Sequence, residues 1–372
     1  MKNSNRILAL TLALALLCAG CSAPASPASQ TFPVSAAAVD ETPETVVFTD
    51  SAGREVTVPA KIDKLAVTGP LAQITVFALA PERFAGVASM WSKQAEGFIP
   101  AEYAELPELG QFYGGGEFSL ETLLSSGAQV VIDVGNTKKN TVEDMDALTE
   151  QTGVPFVHIA AELGEMDKTY EKLGELLGVP DEAKKLSDYC AQTYSMIKTL
   201  SQSVEKKRVL YVLGENGLNV LAKDSFHGEV VDMLSQNAAE VDEPSSRGTG
   251  NETDMEQILS WDPEVVLFAP ESVYDAAASD PAWSQLTAIQ NGEYYKVPFG
   301  PYNWMGFPPS AQRFLGMLWM AKLLYPEAAQ YDLYEKAAEY FSLFYHTELT
   351  RAQFDALTAD STGVQAERAA AR

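Results

Sequence analysis

Positive charge, histidine and cysteine are all scarce in this chain of 372 residues. Only 26 lysines and arginines stand against 51 aspartates and glutamates, a net charge of −25. Such a surface repels phosphate backbones and anionic lipid, which excludes nucleic acid as a partner. The three histidines, His158, His227 and His346, show no close spacing with one another. A protein cage for bare zinc or manganese needs such a cluster, so no metal-ligating set is expected. Two of the three cysteines, Cys18 and Cys21, stand near the start. The third, Cys190, lies on an apolar helical stripe, can form no internal disulfide, and reads as core rather than nucleophile. Gly-x-Ser-x-Gly, His-Glu-x-x-His and the Walker loop are missing, and the acidic pair Asp144/Asp146 sits on a polar helix face. No enzyme is expected. The one long apolar run, Ile7 to Leu17, is too short to span a bilayer.

That run follows Lys2 and Arg6 and precedes Cys18-Ala19-Gly20-Cys21, the pattern of a secretory signal peptide. Its end resembles a bacterial lipoprotein box, except that Cys18 stands where such boxes usually carry leucine. The resemblance implies residues 1–20 as a cleaved signal and Cys21 as the lipidated first residue. Residues 21–45 are rich in Ala, Ser, Pro and Thr and cannot bury enough to fold, which suits a flexible tether. Loss of Lys2 and Arg6 leaves 24 basic against 51 acidic residues, a charge of −27. The expected location is extracytoplasmic, tied to the bacterial cell membrane through lipid alone.

The remaining chain contains a faint copy of itself. Ser119 to Ile132 aligns without gaps to Asp254 to Leu267. Each segment reads as an N-cap, a short amphipathic helix with glutamate in its first turn, and a β-branched buried strand. Further strands are predicted at 64–68, 84–88, 155–159, 208–213 and 293–297, and further helices at 74–79, 141–151 and 227–235. Asn216-Gly217 suits a tight hairpin turn. Alternation of this kind predicts two lobes with mostly parallel sheets. Between them, Pro180-Asp181-Glu182 opens the longest helical pattern, with apolar residues recurring at steps of three and four to Val204. The expected organisation is therefore an α/β lobe over 46–179, a connecting helix over 180–206, a second α/β lobe over 207–350, and a frayed tail over 351–372.

Val46 to Pro59, the two glutamate-bearing copies, and Pro308-Pro309-Ser310 through Arg313, Gly316 and Trp319 to Pro326 occur in a characteristic order. Over roughly residues 46–348 the chain resembles the solute-binding proteins of ABC importers for iron–siderophore, haem and cobalamin. The resemblance implies two Rossmann-like lobes joined by one long α-helix, with the ligand cleft between them. It also implies Glu121 and Glu256 as paired marks that meet arginines of the permease. Strand ends in such sheets bind ligands. The loops there nominate Trp91, Tyr113, Tyr302 and Trp304 as aromatic contacts, with Arg247, and less so Lys138, for ligand carboxylates. Arg313 reads as structural and Trp319 as core. The expected function is capture of a metal chelate, a ferric siderophore first and haem or a corrinoid next, by a monomer that hands it to an ABC permease and its ATPase. No covalent cofactor besides lipid is expected. The alternatives are a receptor for another small ligand, bare metal or oxyanion, and an exported enzyme.

Overall fold

A computed structural model of the chain describes residues 44–112 and 119–361. Cys21 and Tyr113 lie outside the described residues. Strands β1 (Thr45–Thr49) and β2 (Glu55–Pro59) form an antiparallel hairpin. Asp50 builds its turn, because Oδ1 accepts from the amides of Ala52 and Arg54 at 2.9 and 3.0 Å. Its Oδ2 also accepts from the amide of His158 at 3.2 Å, which pins the hairpin to the first sheet.

That sheet holds β3 (Leu65–Val67), β4 (Val130–Gly135) and β5 (Phe156–Ala160), all parallel, in the order β3-β4-β5. Helices α1 (Pro70–Phe77), α2 (Ala101–Ala104), α3 (Leu120–Ser126) and α4 (Thr141–Thr152) connect the strands. Helix α1 starts four residues earlier than the apolar pattern predicts, because Pro70 occupies a first-turn position where a missing N–H costs nothing. The strand expected at 84–88 forms no ladder. Ala85 donates to Leu65 on one side, while Val87 donates to Pro107 and accepts from Leu109 on the other. Only isolated bridges result, Phe84 with Leu65 and Val87 with Glu108, because neither side offers a partner long enough for a ladder.

Helix α5 (Met166–Leu177) turns at Gly178 into α6 (Pro180–Ser203). At 24 residues, α6 is about 36 Å long and forms the expected connection. The two helices approach closely at Gly174, where an added Cβ would stand 2.3 Å from that of Ala183. Gly174→Leu is therefore expected to destabilise by about 1–3 kcal/mol through overpacking, read as a lower urea midpoint at unchanged slope. Cys190 is buried within α6, and burial drives its thiol pKa well up, which makes it inert.

The second sheet contains β6 (Arg208–Leu213) and β7 (Asn219–Val220), then, after α7 (Glu229–Leu234), β8 (Gln236–Asn237) and β9 (Asn251–Glu252). Helix α8 (Met255–Trp261) leads into β10 (Val265–Phe268), and α9 (Tyr274–Ala277) and α10 (Thr287–Asn291) lead to β11 (Tyr294–Lys296). Its order is β11-β10-β6-β7-β9, with β8 beside β6. The β6–β7 hairpin turns at Asn216-Gly217 as expected, closed by Gly217 donating to Gly214.

The internal copy is structural. Helices α3 and α8 are each seven residues long, capped by Ser119 and Asp254, whose side chains accept from Thr122 and Gln257 at 3.2 and 2.8 Å. Each ends in a left-handed residue, Gly127 at φ 73° and Asp262 at φ 38°. The following strands then pair alike: Val130 with Leu65 in β3, and Val265 with Val209 in β6. A third strand, β5 or β11, lies on the far side of each.

Three C-terminal helices complete the fold. Helix α11 (Arg313–Leu324) is buried on every side except at Lys322 and Leu323. Trp319 is core, as expected, and donates to the Ser361 carbonyl at 2.9 Å. Helix α12 (Leu333–Phe344) crosses back to the first half, where Phe341 meets Phe98 and Phe344 meets Tyr170. A second structural tie thus joins the halves beside α6. The stretch expected to fray after Arg351 instead begins with α13 (Arg351–Leu357), held by a Thr350/Gln353 capping box and by the buried Phe354. Among the described residues, no helix is long and apolar enough to cross a membrane.

Candidate functional site

A cavity of 530 Å³ opens between the halves. In the first half its wall follows β3 and β4, with Thr68 to Ala72 at the head of α1, Asp133 to Gly135 at the end of β4, and Asn140, Thr141 and Asp144 at the head of α4. In the second half it is closed by Phe226, His227, Ser246, Pro308 and Pro309. This is the crevice beyond the C-terminal strand ends that parallel sheets leave for ligands.

Two helices direct their N-termini at this cavity, and among the described residues neither receives a side-chain cap. Unsatisfied first-turn amides and the helix dipole favour an anion there. Lys138 lines the same wall and is exposed. The two carboxylates present are already engaged. Asp144 accepts from Asn140 Nδ2 at 2.6 Å, and Asp133 accepts from the Thr68 hydroxyl at 2.5 Å and faces His158 Nδ1 at 2.7 Å.

Behind Phe226 and His227 lies Arg313, the first residue of α11. It is fully buried, pairs with Glu229, stacks on the Phe226 ring at 5.0 Å, and donates through Nη2 to the Ala161 carbonyl of the first half at 3.3 Å. The guanidinium thereby ties both halves at the cavity floor. Burial lowers the Arg313 pKa and raises that of Glu229, so desolvation outweighs their mutual attraction on both sides.

His227 is held neutral. Burial first, then the charges of Arg313 and Lys138, lower its pKa from 6.5 to about 4. The unfolded chain binds this proton below pH 6.5, whereas the folded one does so only near pH 4. Stability from His227 is therefore complete above 6.5 and lost as pH falls through that window. After allowance for partial exposure the loss is roughly 2 kcal/mol. Unfolding free energies from urea titrations at neutral pH and near pH 4.5 are expected to differ more in the wild type than in His227→Gln by that amount.

Of the aromatic residues nominated from sequence, the three described ones, Trp91, Tyr302 and Trp304, sit elsewhere. Trp91 donates to the Tyr103 carbonyl at 2.9 Å and meets Phe77 edge-on, while its other face meets Tyr302 at 6.3 Å. Next to it, the Ser92 hydroxyl donates to the Pro301 carbonyl at 3.0 Å. Trp91 and Tyr302 thus seal a seam between the halves and do not line the cavity. Trp304 is wholly buried, with Nε1 on the Gly300 carbonyl at 3.0 Å, and is core. Arg247 is exposed in the loop beside Ser246, whose side of the cavity it borders without lining it. Glu121 and Glu256 are both exposed, at matching positions in the first turns of α3 and α8. Sequence reasoning missed Asp133 and Phe226 as cavity residues. Of these, only Asp133, an acid within an otherwise apolar strand, carried a visible signal.

The periplasmic binding protein family matches residues 100–300, more than half of the chain. The chain belongs to this family. It is a binding protein and not an enzyme. Molybdate-binding protein MolA of Haemophilus influenzae is 25% identical over 332 residues, covering 81% of this chain and 91% of that protein. The Fe(3+)-citrate-binding protein YfmC of Bacillus subtilis is 22% identical over 48% of this chain and 56% of its own length. Among solved structures, an ABC transporter solute binding protein from Sulfurospirillum deleyianum superposes with a TM-score of 0.77 at 24% identity, covering 85% of this chain and 99% of that one. A periplasmic solute binding protein from Veillonella parvula gives 0.70 at 22% identity, covering 86% and 98%. The two-lobed expectation and the single long connecting helix agree with this fold.

Proposed function

We propose that the protein is the extracytoplasmic substrate-binding component of an ABC importer and that it captures an anionic metal chelate of the ferric siderophore or citrate kind. One observation carries this reading: a cavity of 530 Å³ walled by both halves, into which two uncapped helix N-termini and Lys138 open. The volume lies in the range of small-molecule sites and exceeds what a bare ion fills. A preassembled chelate brings its own donors to the metal. Among the described residues no group of three or more His, Cys, Asp and Glu could hold an ion. Haem and corrinoids rank second, because Trp91, Tyr302 and Trp304 stand outside the cavity walls. The likeness to a molybdate-binding relative supports a second reading, a bare tetrahedral oxyanion at the same helix termini.

A melting screen over ferric citrate, ferric hydroxamate and catecholate siderophores, haem, cobalamin and molybdate tests this. Ligand at a hundred times its dissociation constant adds about 2.7 kcal/mol to stability. Stabilisation by a ferric chelate, weakened about tenfold by Lys138→Glu, is expected; a response to molybdate alone shifts the reading to the oxyanion, and a response to neutral ligands alone overturns it.

In this reading Cys21 carries the lipid that keeps the monomer at the membrane, and Glu121 and Glu256 face the permease. Because α6 and α12 both join the halves, and Arg313 reaches the Ala161 carbonyl across the floor, closure on the ligand is a small movement rather than a wide hinge swing.

A further inference from the structure

Beneath the cavity wall runs a chain of polar side chains that the ligand reading does not use. Thr68 Oγ1 lies 2.5 Å from Asp133 Oδ1, Asp133 Oδ2 lies 2.7 Å from His158 Nδ1, and His158 Nε2 lies 3.0 Å from Thr137 Oγ1. His158 is buried on β5, and Asp133 lies beside it in the second half of β4, paired in register. Thr68 and Asp133 line the inter-lobe cavity, whereas Thr137 lines a second cavity on the α6 side.

The directions of these hydrogen bonds follow from the donor inventory. A carboxylate only accepts, so the Thr68 hydroxyl and His158 Nδ1–H both donate to Asp133. A ring whose single proton sits on Nδ1 keeps a lone pair on Nε2, to which the Thr137 hydroxyl donates. The Thr68 hydrogen is therefore committed inward. What this part of the wall offers a ligand is the Asp133 carboxylate, 13% exposed, with lone pairs and no hydrogen.

An anion drawn in by the helix termini would meet its oxygens as like charge and unfilled acceptors. A proton between them turns repulsion into a charge-assisted hydrogen bond, and a site built to bond such a hydrogen rejects the analogue without it. We propose that the Thr68–Asp133–His158–Thr137 chain selects the ligand's protonation pattern, so that the cavity takes anions bearing an O–H or N–H donor beside the charge and disfavours fully deprotonated ones. This inference rests on the anionic reading of the cavity and names its ligand more narrowly.

Hydrogen phosphate and sulfate at pH 8 are the probes, since both are doubly charged tetrahedra and only the first carries a donor. At equal ionic strength, phosphate is expected to stabilise the full chain at least tenfold more tightly than sulfate in melting titrations. Asp133→Asn, which replaces an acceptor oxygen with an amide donor, is expected to reduce phosphate to the level of sulfate, and Thr68→Ser to retain the preference. In the unliganded wild type, nitrogen-15 NMR of the histidines is expected to show His158 as the Nδ1–H tautomer. Equal binding of the two anions, a preference that survives Asp133→Asn, or the Nε2–H tautomer overturns the proposal. A protein that responds to ferric citrate but to neither small anion overturns it too, while the anionic cavity stands. No response to any anion overturns both readings.

Discussion

Exchanging both matched glutamates, Glu121→Arg with Glu256→Arg, is expected to abolish uptake while ligand affinity stays unchanged. The two side chains are exposed at the heads of helices that the internal copy places equivalently, one in each half. An exposed ion pair contributes only about 0–1 kcal/mol, so neither glutamate holds the complex by itself. Their effect lies in orientation: two acids on two copies define a direction and a separation, and reversal of both replaces attraction with repulsion at each contact. Neither residue lines the cavity, which keeps binding intact. Loss of favourable dipole interaction costs about 0.3–1 kcal/mol per helix, too little to unfold the protein. Isothermal titration of the purified double variant and uptake of radiolabelled chelate by cells carrying it separate the two quantities. Undiminished uptake would remove these glutamates from the docking surface.

Glu229→Leu is expected to cost about 3 kcal/mol, the low end of the range for breaking a buried pair. Arg313 has no exposed surface, and its Nε already lacks a partner among the described residues. Removal of Glu229 strands a guanidinium whose remaining acceptors are the carbonyls of Phe226 and Ala161. Glu229 keeps about a third of its side chain exposed, at 32%, so water enters the gap and holds the loss to the lower figure. Guanidinium denaturation checks the size. The companion change Glu229→Leu with Arg313→Met is expected to recover most of it, because a packed apolar pair at this floor no longer carries a buried charge. Failure of the double variant to exceed the single one would show that Arg313 is stabilised by its carbonyl contacts rather than by the pair.

Particular elements show why the fold was legible and the site was not. The repeat announced itself through Ser119 and Asp254 because an N-cap, a first-turn acid and a β-branched strand are local patterns, and each half repeats them at the same spacing. The helix from Pro180 was visible because proline and acids belong at its first turn and its apolar positions recur along one face. The 84–88 strand failed because a ladder needs a partner of adequate length, which no local pattern reports. The C-terminal tail failed similarly: the fixed order of α13 comes from Phe354 finding a core, and from Thr350 and Gln353 capping each other.

Trp91, Tyr302 and Trp304 illustrate the limit for the cavity. Aromatics in glycine-rich loops serve equally as ligand walls, as seams or as core, and composition alone does not separate these uses. Here packing made two of them a seam and one of them core. The residues that do face the cavity, Thr68, Asp133 and Phe226, are ordinary in sequence and derive their role from three separate chain segments meeting.

Local order in the amino-acid string was thus enough for the α/β class, the two sibling lobes, the rod between them and the acidic, motif-poor character that speaks against catalysis. Those properties depend on side-chain periodicity, capping and net charge, which act over a few residues or over the whole surface at once. Only the folded chain decided where the cavity lies, that two helix termini converge on it, and that Arg313 and Asp133 sit beneath its walls. Convergence of that kind depends on contacts between residues far apart in sequence, and no short-range pattern encodes their distance.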